Sequence, residues 1–139
     1  MDESLADEPA VAELLDAARG ALDAAYVPYS GYRVGAALRA ADGTVYVGCN
    51  LENANYSNSL HAEEVAVAEA VKDGHDAFDA LAVVSGERDG VTPCGMCRQT
   101  LVEFCDPSLP IYCDEGDAVA EYTLGGLLPN AISRETLGK

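Results

Sequence analysis

Positive charge is scarce in this sequence. Eight Lys and Arg stand against 24 Asp and Glu, a formal charge of −16 over 139 residues, and only two of the eight are lysines, Lys72 and Lys139. The acids are spread along the chain and form no single tail. Such a surface repels phosphate backbones and excludes nucleic acid as a natural partner. High solubility is the plain consequence. A shortage of lysine also fits a surface adapted to a very salty cytoplasm, where the screening length shrinks to about 3 Å at 1 M salt and self-repulsion fades.

Long apolar runs are missing too. The opening "MDESLADEPA" has neither the basic segment nor the apolar stretch of a secretory signal, and no later stretch approaches the length of a bilayer crossing. The expectation is a soluble cytoplasmic protein with no membrane partner. In that reducing compartment five cysteines, an odd number, read better as ligands and buried thiols than as a disulfide framework. Without a signal, "NYS" at 55–57 carries no meaning as a glycosylation acceptor. Histidine is rarer than cysteine: His61 and His75 are the full set.

What is present suffices for one core, with 49% hydrophobic residues. The reading is a single catalytic domain over 1–139, with an acidic leader at 1–9 and a tail at 130–139 that the pattern does not resolve. Val11, Leu14, Leu15, Ala18 and Leu22 recur at helical spacing before Pro28. "YRVGAALRA" and "TVYVGCN" are β-prone runs joined at Asp42-Gly43, a hairpin turn. "LHAEEVAVAEAVKDG" reads as a helix with Asn58 or Ser59 as cap and Gly74 as stop. "ALAVVSG" is a short interior strand, and Cys94 to Cys105 a third helix closed by Pro107. "LPIYC" and "AVAEYTL", separated by "DEGD", are antiparallel strands. The order α-β-β-α-β-α-β-β predicts an α/β fold, a three-layer α/β/α sandwich whose five-stranded mixed sheet is covered on both faces.

Chemistry concentrates in two short stretches. "TPCGMCRQ" at 92–99 puts Cys94 and Cys97 three positions apart at a helix start. Such a pair can be a redox dithiol, half of a structural zinc site, or two ligands of a catalytic zinc. A zinc site needs a further ligand. His75 sits in a polar loop after a helix stop, where a solvated side chain is the default. His61 opens a helix and, taken alone, is a capping or packing histidine. Mid-helix, His61 and Glu63 would point about 200° apart, but at a first turn both reach past the helix end. Two helix N-termini can then converge on one ion, their free N–H groups stabilising the thiolates.

"HAE" at 61–63 with "PCGMC" at 93–97 is the paired signature of zinc deaminases. Through "VPYSGYRVGAAL", "GCNLENANYSNSLHAEEVAV", "TPCGMCRQTLVEF" and "LLPNA", from about Leu14 to Ala131, the chain resembles the small homotetrameric cytidine deaminases. The resemblance implies the cytidine deaminase-like fold and one zinc ion per chain on His61, Cys94 and Cys97. It implies deamination of cytidine and 2′-deoxycytidine to the uridines with release of ammonia, in pyrimidine salvage, by zinc-bound hydroxide attacking C4 while Glu63 shuttles protons. Asn50 and Glu52 are implied to hold the ribose hydroxyls, Tyr32 to lie against the base, and Tyr56 to approach the ribose at a subunit boundary. The Ala62 N–H and the Thr92 carbonyl are implied to read the base edge and meet the departing ammonia, and Arg98 to hydrogen-bond near the thiolates.

Departures from the pattern matter as well. Many small relatives use a third cysteine in place of His61 and follow the catalytic glutamate with arginine, where this chain has Glu64. One imidazole and two thiolates make a neutral centre with zinc, so no cation is required there. Relatives carry an aromatic soon after "LLP" that reaches a neighbouring subunit's base; here Ile132 stands. Cys49, Cys105 and Cys113 read as small buried hydrophobes. Other readings are a deaminase of another cytosine-like small molecule, such as a blasticidin-type antibiotic, a nucleic-acid deaminase, a structural zinc module and a thioredoxin-like redox protein. "NLENANY" favours the nucleoside, the net charge opposes nucleic acid, a structural zinc would want a fourth protein ligand, and a redox protein would keep its activity on chelation.

Overall fold

The structure, a computed structural model, describes residues 5–139. Met1 to Ser4 of the acidic leader lie outside them; the rest of the leader forms a 3-10 turn at Leu5–Asp7 before the first helix. The elements are α1 (Pro9–Gly20), β1 (Val34–Ala40), β2 (Val45–Cys49), α2 (Ala62–Lys72), β3 (Phe78–Ser85), α3 (Gly95–Phe104), β4 (Pro110–Asp114), β5 (Val119–Thr123) and a one-turn α4 (Leu124–Leu127). The five strands form one sheet in the order β2-β1-β3-β4-β5. All neighbours are antiparallel except β3 and β4, which run parallel and need α3 as their crossover.

Each face of the sheet carries its own core, as alternation along the strands requires. Ala37, Ala80, Ala82 and Val84 meet Val11, Leu14, Leu15 and Ala18 of α1. Ala36, Leu38, Leu81, Val83 and Ile111 meet Ala62, Ala66 and Val67 of α2 and Leu101 of α3. Leu38, Leu81, Leu101 and Ile111 are fully buried, and each contributes about 1.5–3 kcal/mol on burial. The predicted three-layer sandwich is therefore the observed one.

One close approach sets the position of α2. A Cβ on Gly48 of β2 would come within 2.2 Å of the Ala62 carbonyl oxygen and 2.6 Å of the Ala66 nitrogen. Only glycine lets the first turn of α2 rest on the strand so closely. Upstream, residues 50–52 are pinned on both sides: Leu51 exchanges backbone hydrogen bonds with Leu60, and Tyr26 pairs with Asn50 and Glu52.

Several boundaries shift by one to three residues from the predicted ones, among them the end of α1 at Gly20, with Leu22 in a following 3-10 turn; two of the shifts have a clear cause. The cap of α2 is His61, with extended φ/ψ of −94° and 153°, not Asn58 or Ser59. The backbone from 51 to 60 is held in a short bridge, and the Ser59 hydroxyl is spent on the Asn53 N–H, so the helix cannot start earlier. The last strand ends at Thr123, whose hydroxyl accepts from Gly126 N–H and starts α4, turning the buried Leu124 into a helical residue. Cys113 is buried as expected, whereas Cys49 and Cys105 are only half-buried, Cys105 packing against the edge of the core. Among the described residues no helix is long and apolar enough to cross a membrane.

Candidate active site

Two helix starts meet where β3 leaves the sheet. Cys94 is the N-cap of α3 and Cys97 stands three residues on, buried in its first turn, while His61 caps α2. The His61 Nδ1 lies 3.2 Å from Cys94 Sγ and 3.4 Å from Cys97 Sγ. These three ligand atoms fall within 4.8 Å of one another, and no other such cluster occurs among the described residues. Tetrahedral zinc, with Zn–N near 2.0–2.1 Å and Zn–S near 2.3 Å, separates nitrogen and sulfur by about 3.6 Å. The donor set and its spacing thus fit zinc with three protein ligands, short of the four a structural site uses.

Glu63, two residues past the cap, is 4% exposed and the one buried charged or polar side chain in the core among the described residues. Because His61 has extended backbone, Glu63 and His61 line the same cavity despite their i,i+2 spacing. Burial raises the Glu63 carboxyl above its ordinary value of 4.5; hydrogen bonding and the nearby imidazole offset this only in part. That cavity, about 340 Å³, also gathers Tyr32, Asn50, Ala62, Thr92 and Cys94. A second cavity of about 330 Å³ shares Asn50 and His61 with the first and adds Glu52 and Tyr56. Tyr29 and Tyr56 meet edge-on there, 5.7 Å between ring centres.

Asn50 and Glu52 are already employed. The Asn50 amide donates to the Tyr32 carbonyl at 2.7 Å and accepts from the Val34 N–H at 2.9 Å, so it ties the wall of the first cavity to the end of β2. One N–H and one lone pair remain for a ligand. Glu52 accepts from the Ser30 hydroxyl and from the Tyr29 and Ser30 N–H groups. The Ser30 hydroxyl contact foremost, with the backbone donors, holds its carboxyl below the ordinary value.

Arg98 sits behind the cavity. Its guanidinium donates to the Pro93 carbonyl at 2.6 Å, the Leu127 carbonyl at 2.8 Å and the Thr92 hydroxyl at 3.2 Å. Among the described residues it makes no hydrogen bond to sulfur, so its hold is on the loop that delivers Cys94. Ile132 is exposed, and its carbonyl accepts from the Gln99 side chain. Ser30, Tyr29 and Arg88 also line the cavities. Single polar or aromatic residues in loops gave no periodic or spacing signal that could have marked them.

Residues 10–113 match the sequence profile of the family described as the cytidine and deoxycytidylate deaminase zinc-binding region. The chain belongs to that family. Cytidine deaminase from Sporosarcina psychrophila is 49% identical over 129 residues, spanning 91% of this chain and 94% of that protein. The one from Halalkalibacterium halodurans is 40% identical, spanning 89% and 95%. Among solved structures, cytidine deaminase from Burkholderia pseudomallei superimposes with a TM-score of 0.83 at 40% identity, covering 87% of this chain and 98% of that one. Cytidine deaminase from Mycobacterium tuberculosis gives 0.78 at 40% identity. Family membership and the three clustered donors together identify a zinc-binding deaminase domain.

Proposed function

We propose that the protein is a zinc-dependent hydrolase that converts cytidine and 2′-deoxycytidine to the corresponding uridines and ammonia in the cytoplasm, and that residues 1–139 form one catalytic domain. The observation that carries this reading is the buried Glu63 beside the His61, Cys94 and Cys97 cluster, in a cavity that adjoins a second one lined by Asn50, Glu52 and Tyr56. Zinc, when bound, supplies a Lewis acid that makes a water acidic near neutral pH.

The chain's own residues do the rest. Glu63 takes the proton of the attacking water and delivers it to the pyrimidine N3, then carries the second proton to the exocyclic nitrogen as the C4–N bond breaks. Its burial keeps the proton affinity high enough to do both. The Ala62 N–H, at the first position of α2 and without an intrahelical partner, faces the base edge, and the Thr92 carbonyl receives the departing ammonia. Tyr32 packs against the base. Asn50 and Glu52 offer the sugar hydroxyls their remaining donor and acceptor sites, with Tyr56 beside the ribose. Zinc content measured together with conversion of cytidine to uridine, with free cytosine as control, tests the whole reading.

Asn50→Ala and Glu52→Gln should reduce cytidine turnover far more than any residual activity on cytosine, because ribose contacts help place C4 for attack. Equal losses on both substrates would refute the ribose assignment. Asn50→Ala carries a further loss of stability, since it frees the Tyr32 and Val34 backbone groups.

Assembly into a homotetramer with active sites near subunit boundaries belongs to the same proposal. Val45 and Val47 on the outer strand are exposed, and so are Leu51, Leu60 and the Tyr29–Tyr56 pair at the second cavity. A second copy of the chain would cover this apolar rim. Subunits carrying −16 each must approach one another. Raising potassium chloride from about 0.1 to 2 M should therefore raise both the melting temperature and the tetramer fraction by light scattering. A flat or falling melting temperature would show that the acidity serves solubility alone.

A further inference from the structure

We infer that Glu64 is a positioning residue for the metal centre: its carboxylate fixes the backbone of His61 so that Nδ1 faces both thiols. The inference rests on His61, Cys94 and Cys97 being the zinc ligands.

His61 stands at a junction that leaves its own N–H without a regular partner. The residue before it belongs to the bridge with Leu51, and the residue after it is the first of α2. The Glu64 Oε1 accepts that N–H at 2.6 Å, while the His61 carbonyl accepts from Val65 N–H at 3.0 Å. Both backbone polar groups of the ligand are thereby tied to the first turn of α2. Gly48 seats the same turn on β2. Nδ1 is the ring nitrogen nearer the backbone, so any reorientation of His61 passes directly to its distances from the two sulfurs.

A carboxylate three residues into a helix is a common capping device and is favoured by the helix dipole. Here the residue it caps is itself a ligand, so the cap and the coordination geometry depend on one hydrogen bond. Glu64 lines neither cavity, so it does not touch substrate. What it offers the site is the hydrogen bond.

Full-length Glu64→Ala and Glu64→Gln separate these effects. Zinc affinity is measured by competition with a chromophoric chelator, and coordination geometry by the absorption bands of the cobalt(II)-substituted protein. Glu64→Ala should bind zinc about 10- to 100-fold more weakly, as is usual on loss of an outer partner of a ligand, and its cobalt bands should shift. Its kcat should fall while KM for cytidine stays within about twofold, since no substrate contact is lost. Glu64→Gln keeps an acceptor oxygen in place and should restore affinity and spectrum. A Glu64→Ala protein that only melts earlier, with unchanged zinc affinity and cobalt spectrum, overturns the proposal and leaves a helix cap. A Glu64→Gln protein as impaired as Glu64→Ala also overturns it, pointing to charge instead. If Glu64→Ala does not fold, Glu64→Asp serves, since it keeps the charge but withdraws the acceptor; undiminished zinc affinity in that variant overturns the proposal. His61→Ala provides the separate check: full zinc binding without the imidazole would refute the ligand assignment itself.

Discussion

Glu63→Gln is expected to retain about one zinc per chain while deamination collapses by at least about 10²- to 10⁴-fold, the usual worth of one proton-transfer role, with further loss because one carboxylate serves several steps. The carboxylate lies outside the donor cluster, so replacing it leaves the three ligands intact. Loss of zinc in this variant would make Glu63 a ligand and reverse its assigned role. The metal-free proteins should show an opposite effect on stability. Burial raises the folded-state pKa of Glu63 above its ordinary value of 4.5, so the ionised carboxylate opposes folding and the protonated one does not. Any stability from this group is present in acid and declines as pH rises through the folded pKa. Metal-free Glu63→Gln should accordingly melt above metal-free wild type at neutral pH, and the gap should close on acidification. A gap that widened in acid would contradict the cause given for the shift.

Removal of zinc should abolish activity, and its return should expel protons. Cys97 is 1% exposed. Burial first, then the charges of Glu63 and Cys94, push its thiol far above the ordinary 9.0, so at neutral pH the metal-free protein carries a protonated sulfur there. Zinc binds the thiolate, and uptake must displace that proton. Affinity should rise about tenfold per pH unit for each proton released. Chelator competition at several pH values, with calorimetry in buffers of differing ionisation enthalpy, measures the number. An affinity independent of pH would show that Cys97 is already ionised and that the buried thiol has been misread. Cys97→Ala should lose both zinc and activity.

The clustering of His61, Cys94 and Cys97 beside Glu63 was legible in the sequence because each half of the signature is local: His-x-Glu and Cys-x-x-Cys both mark helix starts, where side chains project beyond the helix end. Element order and the mixed sheet were legible for the same reason, since hydrophobic period and turn residues act over short distances. The strand order was not, because the parallel pairing of β3 with β4 depends on where α3 packs. Glu64 was hidden in plain view. The sequence marked it only as standing where relatives carry arginine, because "HAEE" has the spacing of a capping box but histidine where serine or threonine is usual. The backbone duties of Asn50 and Glu52 join groups 16 to 23 residues apart, beyond the reach of any local pattern. The direction of Arg98 was similarly opaque, because its acceptor on Leu127 belongs to α4, a turn that the sequence presented as the end of a strand.

The meeting of two helix starts makes the ligand set a cross-link as well as a reaction centre. His61 and Cys94 are 33 residues apart, and the span between them holds all of α2 and β3. A bond system that closes a loop of that length restricts the unfolded chain by roughly 3–4 kcal/mol in the chain-entropy treatment of cross-links. The span so enclosed is the one that lays down the middle of the sheet. Loss of the ion thus slackens the topology itself, and proteolytic nicking of the metal-free chain should begin within that loop, between Lys72 and Arg88.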